Sequence, residues 1–165
     1  MKTLLLMRHA KASPSHAGVS DSDRPLLDEG RDAAERVGKF LKQETLKIDA
    51  ALSSPAVRAR QTIDTVLQAA GMSLKVHGDE RLYEGGPLRL LEVLSEVDDS
   101  LNSVLLVGHN PVLEEFVQLL TGETIHLSPG TLAQVELDAT QWNGIGEVKS
   151  ALRRVVRPKE LPTGN

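Results

Sequence analysis

Residues 3–12 of the chain read TLLLMRHAKA. Their hydrophobic part, Thr3 to Met7, does not alternate in polarity, which is typical of a strand covered by helices on both faces. A second run of this kind spans Val104 to Val107. Both runs stop abruptly, and the first stops at Arg8 and His9. We therefore predict two central strands, the first of which carries titratable side chains at its carboxyl end.

Segments with helical spacing lie between these strands and two weaker strand candidates, residues 49–52 and 73–76. Hydrophobic residues recur at helical spacing after four helix-start signals, each a capping side chain, a proline or both. These signals are Asp28, Ser54-Pro55, Pro87 and Asn110-Pro111. Gly122 is expected to end the last of these helices. The alternation predicts an α/β fold, a three-layer α/β/α sandwich around a mostly parallel central sheet.

The C-terminal part of the chain follows a different pattern. Residues 131–137 alternate between apolar and polar, and residues 148–156 are rich in β-branched side chains. Asn143-Gly144 marks a turn between them. This pattern favours a closing β-hairpin, with a short helix over residues 149–154 as the alternative.

Length and composition are those of one globular domain. The chain has 165 residues, of which 25% are charged. We expect a single domain over residues 1–158 and a C-terminal tail over residues 159–165. A net charge of -4 and an aromatic fraction of 2% give no basis for nucleic-acid binding. The chain has no cysteine, which excludes disulfides and thiolate metal sites and fits a reducing compartment.

Two further classes of protein are disfavoured. The hydrophobic run at residues 3–7 is too short for a signal peptide or a membrane span, so we expect a cytoplasmic protein without a membrane partner. His16, His77 and His126 are scattered along the chain without metal-ligand spacing. We therefore expect neither a metal site nor a cofactor.

Four polar side chains fall where parallel strands should end, the edge at which open α/β sheets bind ligands. Arg8 and His9 follow the first central strand, and His109 follows the second. Arg58 lies in the first turn of the helix after residues 49–52, and helical side chains lean toward the N-terminus. Two arginines and two histidines can thus converge on one pocket.

This combination of side chains suits phosphoryl transfer. Guanidinium groups match phosphoryl oxygens, a neutral histidine is a nucleophile near pH 7, and a second, protonated histidine can hold negative oxygens. Helix N-termini at Ser54-Pro55 and Asn110-Pro111 would add backbone N–H groups. Phosphoryl transfer depends mostly on positioning and charge stabilisation, and this set supplies both without a metal.

The same residues resemble the histidine phosphatase superfamily, whose hallmark is Arg-His-Gly at the end of the first strand. More particularly, the chain is similar to the small SixA-type phosphohistidine phosphatases. The resembling segments are LMRHAKA (residues 6–12), DRPL (23–26) with Glu29-Gly30, SSPAVRARQT (53–62) and VGHNP (107–111). The resemblance implies a phosphoglycerate mutase-like fold and phosphatase activity. Ala10 stands in place of the hallmark glycine.

The resemblance also implies a role for each matching residue. His9 would attack phosphorus and carry the phosphoryl group, while Arg8, Arg58 and His109 would bind its oxygens. Arg24 matches a position near the mouth of the pocket, where it would contact substrate. The implied reaction is dephosphorylation of phosphohistidine on a partner protein, through a covalent phospho-His9 intermediate.

The proton donor is open at this point. Larger members of the superfamily use a carboxylic acid after the third strand to protonate an oxygen leaving group, and the candidates here are Glu80 and Glu84. SixA-type enzymes can dispense with that acid, because the P–N bond of phosphohistidine is labile. Two alternatives therefore stand beside the leading hypothesis. One is a phosphomonoesterase with Glu84 or Glu80 as general acid, and the other is a phosphate-binding module without turnover.

Overall fold

A six-stranded sheet forms the centre of the molecule in the computed structural model, which describes residues 1–163. The strands are β1 (Lys2–Arg8), β2 (Ala50–Ser53), β3 (Val76–Gly78), β4 (Ser103–Gly108), β5 (Leu132–Leu137) and β6 (Ser150–Val156). Their order across the sheet is β3-β2-β4-β1-β5-β6. Strands β1 to β4 pair in parallel, whereas β5 pairs antiparallel with both β1 and β6. The mostly parallel sheet predicted from the sequence is confirmed.

Helices cover both faces of this sheet. They are α1 (Asp28–Gln43), α2 (Val57–Ala69), α3 (Arg81–Glu84), α4 (Pro87–Ser95) and α5 (Val112–Thr121). Within β1, Leu5 and Met7 belong to the hydrophobic cluster that contains α1 and α2 residues, and Leu4 and Leu6 belong to the cluster of α4 and α5. All four side chains are fully buried. The predicted three-layer sandwich is confirmed, and β1 lacks alternation because both of its faces contact apolar groups.

The helices begin near the predicted signals but not with the predicted capping residues. Asp28 is the first residue of α1, and Leu27 precedes it at the N-cap. Ala56 precedes α2, and Pro111 precedes α5. Ser54 is not the N-cap, because α2 begins at Val57 and Ala56 precedes it. The Ser54 Oγ accepts a hydrogen bond from the Ala56 N–H at 3.2 Å and also contacts the pocket described below.

Two other boundaries bear on the predictions. Helix α5 ends at Gly122, whose φ of 77° lies in the left-handed region that favours glycine, as predicted. The strand predicted at residues 73–76 instead occupies Val76–Gly78 at the edge of the sheet. An edge strand of three residues buries few side chains, so its hydrophobic pattern is weak.

The C-terminal part forms the predicted hairpin. Strands β5 and β6 pair antiparallel, and Ser150–Val156 is a strand rather than the alternative short helix. After β6 the chain forms a 3-10 turn at Pro158–Glu160, which packs against α1, and Leu161 packs on the hydrophobic cluster there. The tail predicted over residues 159–165 begins within this turn, after the buried Pro158, and residues 164 and 165 lie outside the described residues. Within residues 1–163, no helix has the length and hydrophobicity needed to cross a membrane.

Candidate active site

The carboxyl ends of β1, β2 and β4 bring the predicted residues together. The His9 N–H donates to the Gly108 carbonyl oxygen at 3.0 Å, which ties the end of β1 to the end of β4. His109 follows directly, and the centroids of the two histidine rings are 5.2 Å apart. Arg58, in the first turn of α2, places its NH2 atom 3.5 Å from Nδ1 of His109. Arg8 is the last residue of β1, and its charge is close enough to contribute to the lowered pKa of His9, so the four side chains lie near one another.

His9 has a defined tautomer. Its Nδ1 lies 2.8 Å from the Ala10 carbonyl oxygen, and because a carbonyl only accepts, Nδ1 carries the proton and Nε2 has a free lone pair. Burial is the largest cause that lowers the pKa of His9 to about 4. The hydrogen bond to Ala10 raises this pKa, and the positive charges of Arg58 and Arg8 lower it further. His9 is therefore neutral near pH 7.

His109 has the opposite tautomer. Its Nε2 lies 2.8 Å from Ser54 Oγ, while its Nδ1 faces Arg58, whose nitrogens only donate. Nε2 therefore carries the proton and donates a hydrogen bond to Ser54 Oγ. Burial is the largest cause that lowers the pKa of His109 to about 3, and the nearby His9 imidazole, when it is protonated, and the Arg58 guanidinium add to it. Without an anion in the pocket, a protonated His109 would place a further buried cation beside Arg58. The protonated His109 expected from the sequence, which would hold phosphoryl oxygens, stays a prediction for the occupied pocket.

The two arginines are each held by hydrogen bonds to the protein, and each has one buried nitrogen without an acceptor in residues 1–163. Arg58 is 6% exposed, and its NH1 and NH2 donate to the carbonyl and carboxylate of Asp21 at 2.7 and 3.0 Å. Arg8 NH1 donates to the Leu127 carbonyl oxygen at 3.0 Å. In both arginines Nε is buried and has no acceptor among the described residues. Since an unpaired buried N–H is unfavourable, these two atoms fit the oxygens of a bound anion.

Ala10 is accommodated without disturbing the pocket. Its side chain is fully buried, and its N–H donates to Thr62 Oγ1 at 3.0 Å. The Thr62 hydroxyl in turn donates to the Arg58 carbonyl oxygen at 2.7 Å. The loop after β1 is therefore fastened to the first turn of α2, and the replacement of glycine by alanine leaves this link intact.

A carboxylate that the sequence analysis missed lies beside the arginines. Asp21 begins a 3-10 turn between β1 and α1, and its carboxylate accepts from the Tyr83 hydroxyl at 2.7 Å and from Arg24 Nε at 3.1 Å. The bond from Tyr83 is the largest cause that lowers the pKa of Asp21 to about 2, and bonds from Arg58 and Arg24 add to it. Asp21 is therefore anionic. Its spacing, three residues before Arg24, is the signal that could have identified it.

Arg24 lies near the pocket. Its guanidinium donates to Asp21 and, through NH1, to the Ser13 carbonyl oxygen at 2.8 Å. Its charge is close enough to contribute to the lowered pKa of both His9 and His109. Its contact with substrate stays a prediction.

Helix α3 presents Tyr83, rather than Glu84, to the pocket. The Tyr83 ring lies edge-on to the His109 ring, with centroids 5.5 Å apart. Successive helical side chains project about 100° apart, so Glu84 leaves the helix in another direction. Glu84 and Glu80 are both exposed, and the Glu84 charge acts on Tyr83 only as a minor cause that raises the Tyr83 pKa. The sequence analysis missed Tyr83, although it is the single tyrosine of the chain.

The pocket therefore combines two neutral histidines, two arginines with buried Nε atoms and a fixed carboxylate. Such a set can bind a tetrahedral oxyanion and offer a nitrogen nucleophile to its central atom. Residues 1–163 contain no group of three or more metal-ligating side chains arranged to hold an ion. The fold and the site thus define a histidine-lined oxyanion pocket at the carboxyl edge of an α/β sandwich.

Comparison with known proteins names the family. A model of the histidine phosphatase superfamily (branch 1) matches residues 4–86. The matched segment is just over half of the chain and contains Arg8, His9 and Arg58. The chain belongs to the histidine phosphatase superfamily.

Individual relatives agree with this assignment. An uncharacterized protein of Mycobacterium tuberculosis is 38% identical over 105 residues, which are 64% of this chain and 63% of the relative, less than two thirds of its length. The phosphohistidine phosphatase SixA homolog of Haemophilus influenzae is 34% identical over 153 residues, 84% of this chain and 90% of the relative. A solved structure of the protein histidine phosphatase SixA complexed with tungstate has a TM-score of 0.78 and 26% identity, covering 95% of this chain and 97% of the other. The resemblance and the phosphoglycerate mutase-like fold are confirmed.

Proposed function

We propose that this protein removes the phosphoryl group from phosphohistidine on a partner protein, through a covalent phospho-His9 intermediate. The observation that carries the proposal is the tautomer of His9. Its Nδ1–H is bonded to the Ala10 carbonyl at 2.8 Å, which leaves Nε2 unprotonated near the Arg8 and Arg58 guanidinium groups. A neutral imidazole nitrogen is a competent nucleophile, and the two guanidinium groups match phosphoryl oxygens.

Two displacements at phosphorus complete the proposed reaction. In the first, Nε2 of His9 bonds to phosphorus while the P–N bond of the substrate breaks, and the substrate imidazole leaves with a proton from solvent or one already in place. In the second, water bonds to phosphorus and releases a proton, the bond to His9 breaks, and inorganic phosphate leaves. Arg8 and Arg58 hold the negative oxygens throughout.

His109 completes the proposed oxyanion site. Without an anion beside it, burial and neighbouring cations hold its pKa near 3. A phosphoryl dianion in the pocket would offset those cations and favour the charged imidazole. His109 would then donate a hydrogen bond to a phosphoryl oxygen, and Ser54 would orient its ring through Nε2 at 2.8 Å.

The named relatives support this substrate class. The Haemophilus influenzae relative is named a phosphohistidine phosphatase homolog, and the related solved structure is complexed with tungstate. Tungstate is a tetrahedral oxyanion with the shape and charge of phosphate. These likenesses favour a protein-borne phosphohistidine as the substrate, and the cytoplasmic location expected from the sequence stays a prediction.

The state of the carboxylates near the site favours a substrate with a nitrogen leaving group over a phosphate ester. An alkoxide leaving group needs a proton donor, whereas imidazole leaves readily with a proton from solvent. Glu80 and Glu84 are exposed, and Asp21, with a pKa of about 2, is already ionised near pH 7. Glu80 and Glu84 are thus not buried in the pocket, and Asp21 has no proton to donate near pH 7.

The test compares turnover of a phosphohistidine-bearing protein domain and p-nitrophenyl phosphate, without divalent metal. We expect a strong preference for phosphohistidine, loss of turnover in His9→Ala, and acid-labile phosphate on acid-quenched wild-type protein. Turnover retained in His9→Ala would rule out the mechanism. If the wild-type protein instead prefers the ester and Glu84→Gln loses that activity, the protein is a phosphomonoesterase. Phosphate binding without any turnover would support a binding module.

A pair of arginines on α2 gives a matched control. Arg58→Ala should lower kcat/KM about 10²- to 10³-fold, the loss expected when one donor to the reacting oxygens is removed. Arg60→Ala, two residues along, should retain wild-type kinetics, because Arg60 is exposed and pairs with Asp64. Equal kinetics in the two variants would remove Arg58 from the site.

A further inference from the structure

The carboxylate of Asp21 is bonded by side chains from three segments of the chain. Its Oδ1 lies 3.1 Å from Nε and 3.0 Å from NH2 of Arg24, on the same turn. Its Oδ2 lies 3.0 Å from Arg58 NH2 on α2 and 2.7 Å from the Tyr83 hydroxyl on α3. A carboxylate has about four acceptor positions, so these contacts fill them. Asp21 is therefore fully engaged with the protein.

The backbone of Asp21 adds a second bond to Arg58. Its carbonyl oxygen accepts from NH1 at 2.7 Å while its carboxylate accepts from NH2 at 3.0 Å. Two bonds to one residue fix the plane of a rigid guanidinium group. The remaining nitrogen, Nε, is buried without a protein acceptor, and NH2 also approaches His109. The orientation of Arg58 in the pocket therefore depends on Asp21.

We propose that Asp21 is a positioning residue of the phosphoryl site, acting through Arg58 and Arg24, with Tyr83 as its third anchor. The proposal rests on the proposed phosphatase function, in which Arg58 binds the phosphoryl group. Donors held in place before substrate arrives need no rearrangement during the reaction, which is how such sites gain rate.

A rival view is that Asp21 occupies the arginine donors as a stand-in for phosphate and is displaced by it. Displacement would strand the Tyr83 hydroxyl and Arg24 as well as Arg58, since the carboxylate joins all three. The geometry therefore favours a fixed support over a removable competitor.

The two views predict opposite changes in phosphate affinity for Asp21→Asn. Through space, a carboxylate beside an anion site repels phosphate, so its neutralisation by Asp21→Asn tightens phosphate binding if charge alone matters. Loss of positioning weakens binding instead, because Arg58 is no longer held in the productive orientation. A weaker affinity in Asp21→Asn therefore contradicts an effect of charge alone and supports positioning, provided that the variant keeps its structure.

The experiment measures inhibition by inorganic phosphate and kcat/KM on the phosphohistidine domain. For Asp21→Asn we expect the phosphate inhibition constant to rise about tenfold and kcat/KM to fall about 10- to 100-fold, as for a lost charge-assisted hydrogen bond. The matched control is Asp23→Asn on the same turn, because the Asp23 carboxylate makes no hydrogen bond or ion pair among the described residues. It should stay within about twofold of wild type. Unchanged or tighter phosphate inhibition in Asp21→Asn overturns the proposal.

A second variant guards against a general loss of structure. Tyr83→Phe keeps the ring beside His109 and removes only the hydroxyl bonded to Asp21. Like Asp21→Asn, it should raise the phosphate inhibition constant. The double variant should bind phosphate no more weakly than Asp21→Asn alone, because the hydroxyl acts through that carboxylate. If the two substitutions weaken phosphate binding additively, the Tyr83 hydroxyl does not act through Asp21.

Failure of the proposed function is distinguishable from failure of this proposal. If wild-type protein turns over no phosphorylated substrate, the phosphatase assignment fails. Calorimetric titration with phosphate then still decides the role of Asp21, by whether Asp21→Asn and Tyr83→Phe bind it less tightly than wild type.

Discussion

Acidification should destabilise the protein through His9. Burial, reinforced by positive neighbours, lowers its pKa to about 4 in the folded chain, whereas an unfolded histidine has a pKa of about 6.5. Between these two values the unfolded chain binds a proton that the folded chain does not. The free energy of unfolding therefore falls as the pH drops below about 6.5, and the loss levels off near pH 4.

The two pKa values set the size of this effect. At pH 5, about 97% of an unfolded histidine carries the proton, against about 9% of a group with a pKa of about 4. Linkage then gives an upper bound of about 2 kcal/mol for this single residue. Because the ring keeps some contact with solvent, we expect a loss of about 1–2 kcal/mol.

Urea unfolding of three proteins at about pH 7.5 and about pH 5 measures this loss. Wild type should lose about 1–2 kcal/mol more than His9→Gln, which lacks the titrating group. His16→Gln, in the exposed part of the loop after β1, should follow wild type. An equal loss in wild type and His9→Gln would refute the reasoning that the fold holds His9 neutral.

Two further predictions concern the support of the site and of the helix layer. Ser54→Ala removes the acceptor for His109 Nε2, so we expect kcat/KM on the phosphohistidine domain to fall about tenfold, and wild-type kinetics would contradict this. Gly38→Ala would place a methyl group 2.5 Å from the Val66 carbonyl oxygen, so urea unfolding should show a loss of about 1–3 kcal/mol. Gly86→Ala, where nothing lies within 4 Å of the added group, should show no comparable loss.

Hydrophobic pattern was sufficient to predict most of the fold. The non-alternating runs that became β1 and β4 identified the two central strands, because contacts on both faces select apolar residues at every position. Prediction failed where the pattern is weak or a side chain is used elsewhere. The edge strand β3 was placed too early, and Ser54 was interpreted as a helix cap although it accepts a hydrogen bond within its loop and lies 2.8 Å from His109 Nε2.

Some residues of the candidate site were predictable from the sequence and others were not. Arg8, His9 and His109 were predictable because each follows a recognisable strand, and the ends of parallel strands meet at one edge. Tyr83 was overlooked in favour of the adjacent Glu84, since a four-residue helix has too little pattern to show which side chain faces the pocket.

The sequence by itself therefore determined the sandwich and the chemical groups at its carboxyl edge, because both follow from local runs of residues and from the order of strands. Tertiary structure alone decided the state of those groups. The lowered pKa values of His9 and His109 arise from burial and from charges that other segments bring close, and the tautomer of His109 is set by Ser54 and Arg58. The bond between Asp21 and Tyr83 joins positions 62 residues apart, a distance over which no local pattern specifies a contact.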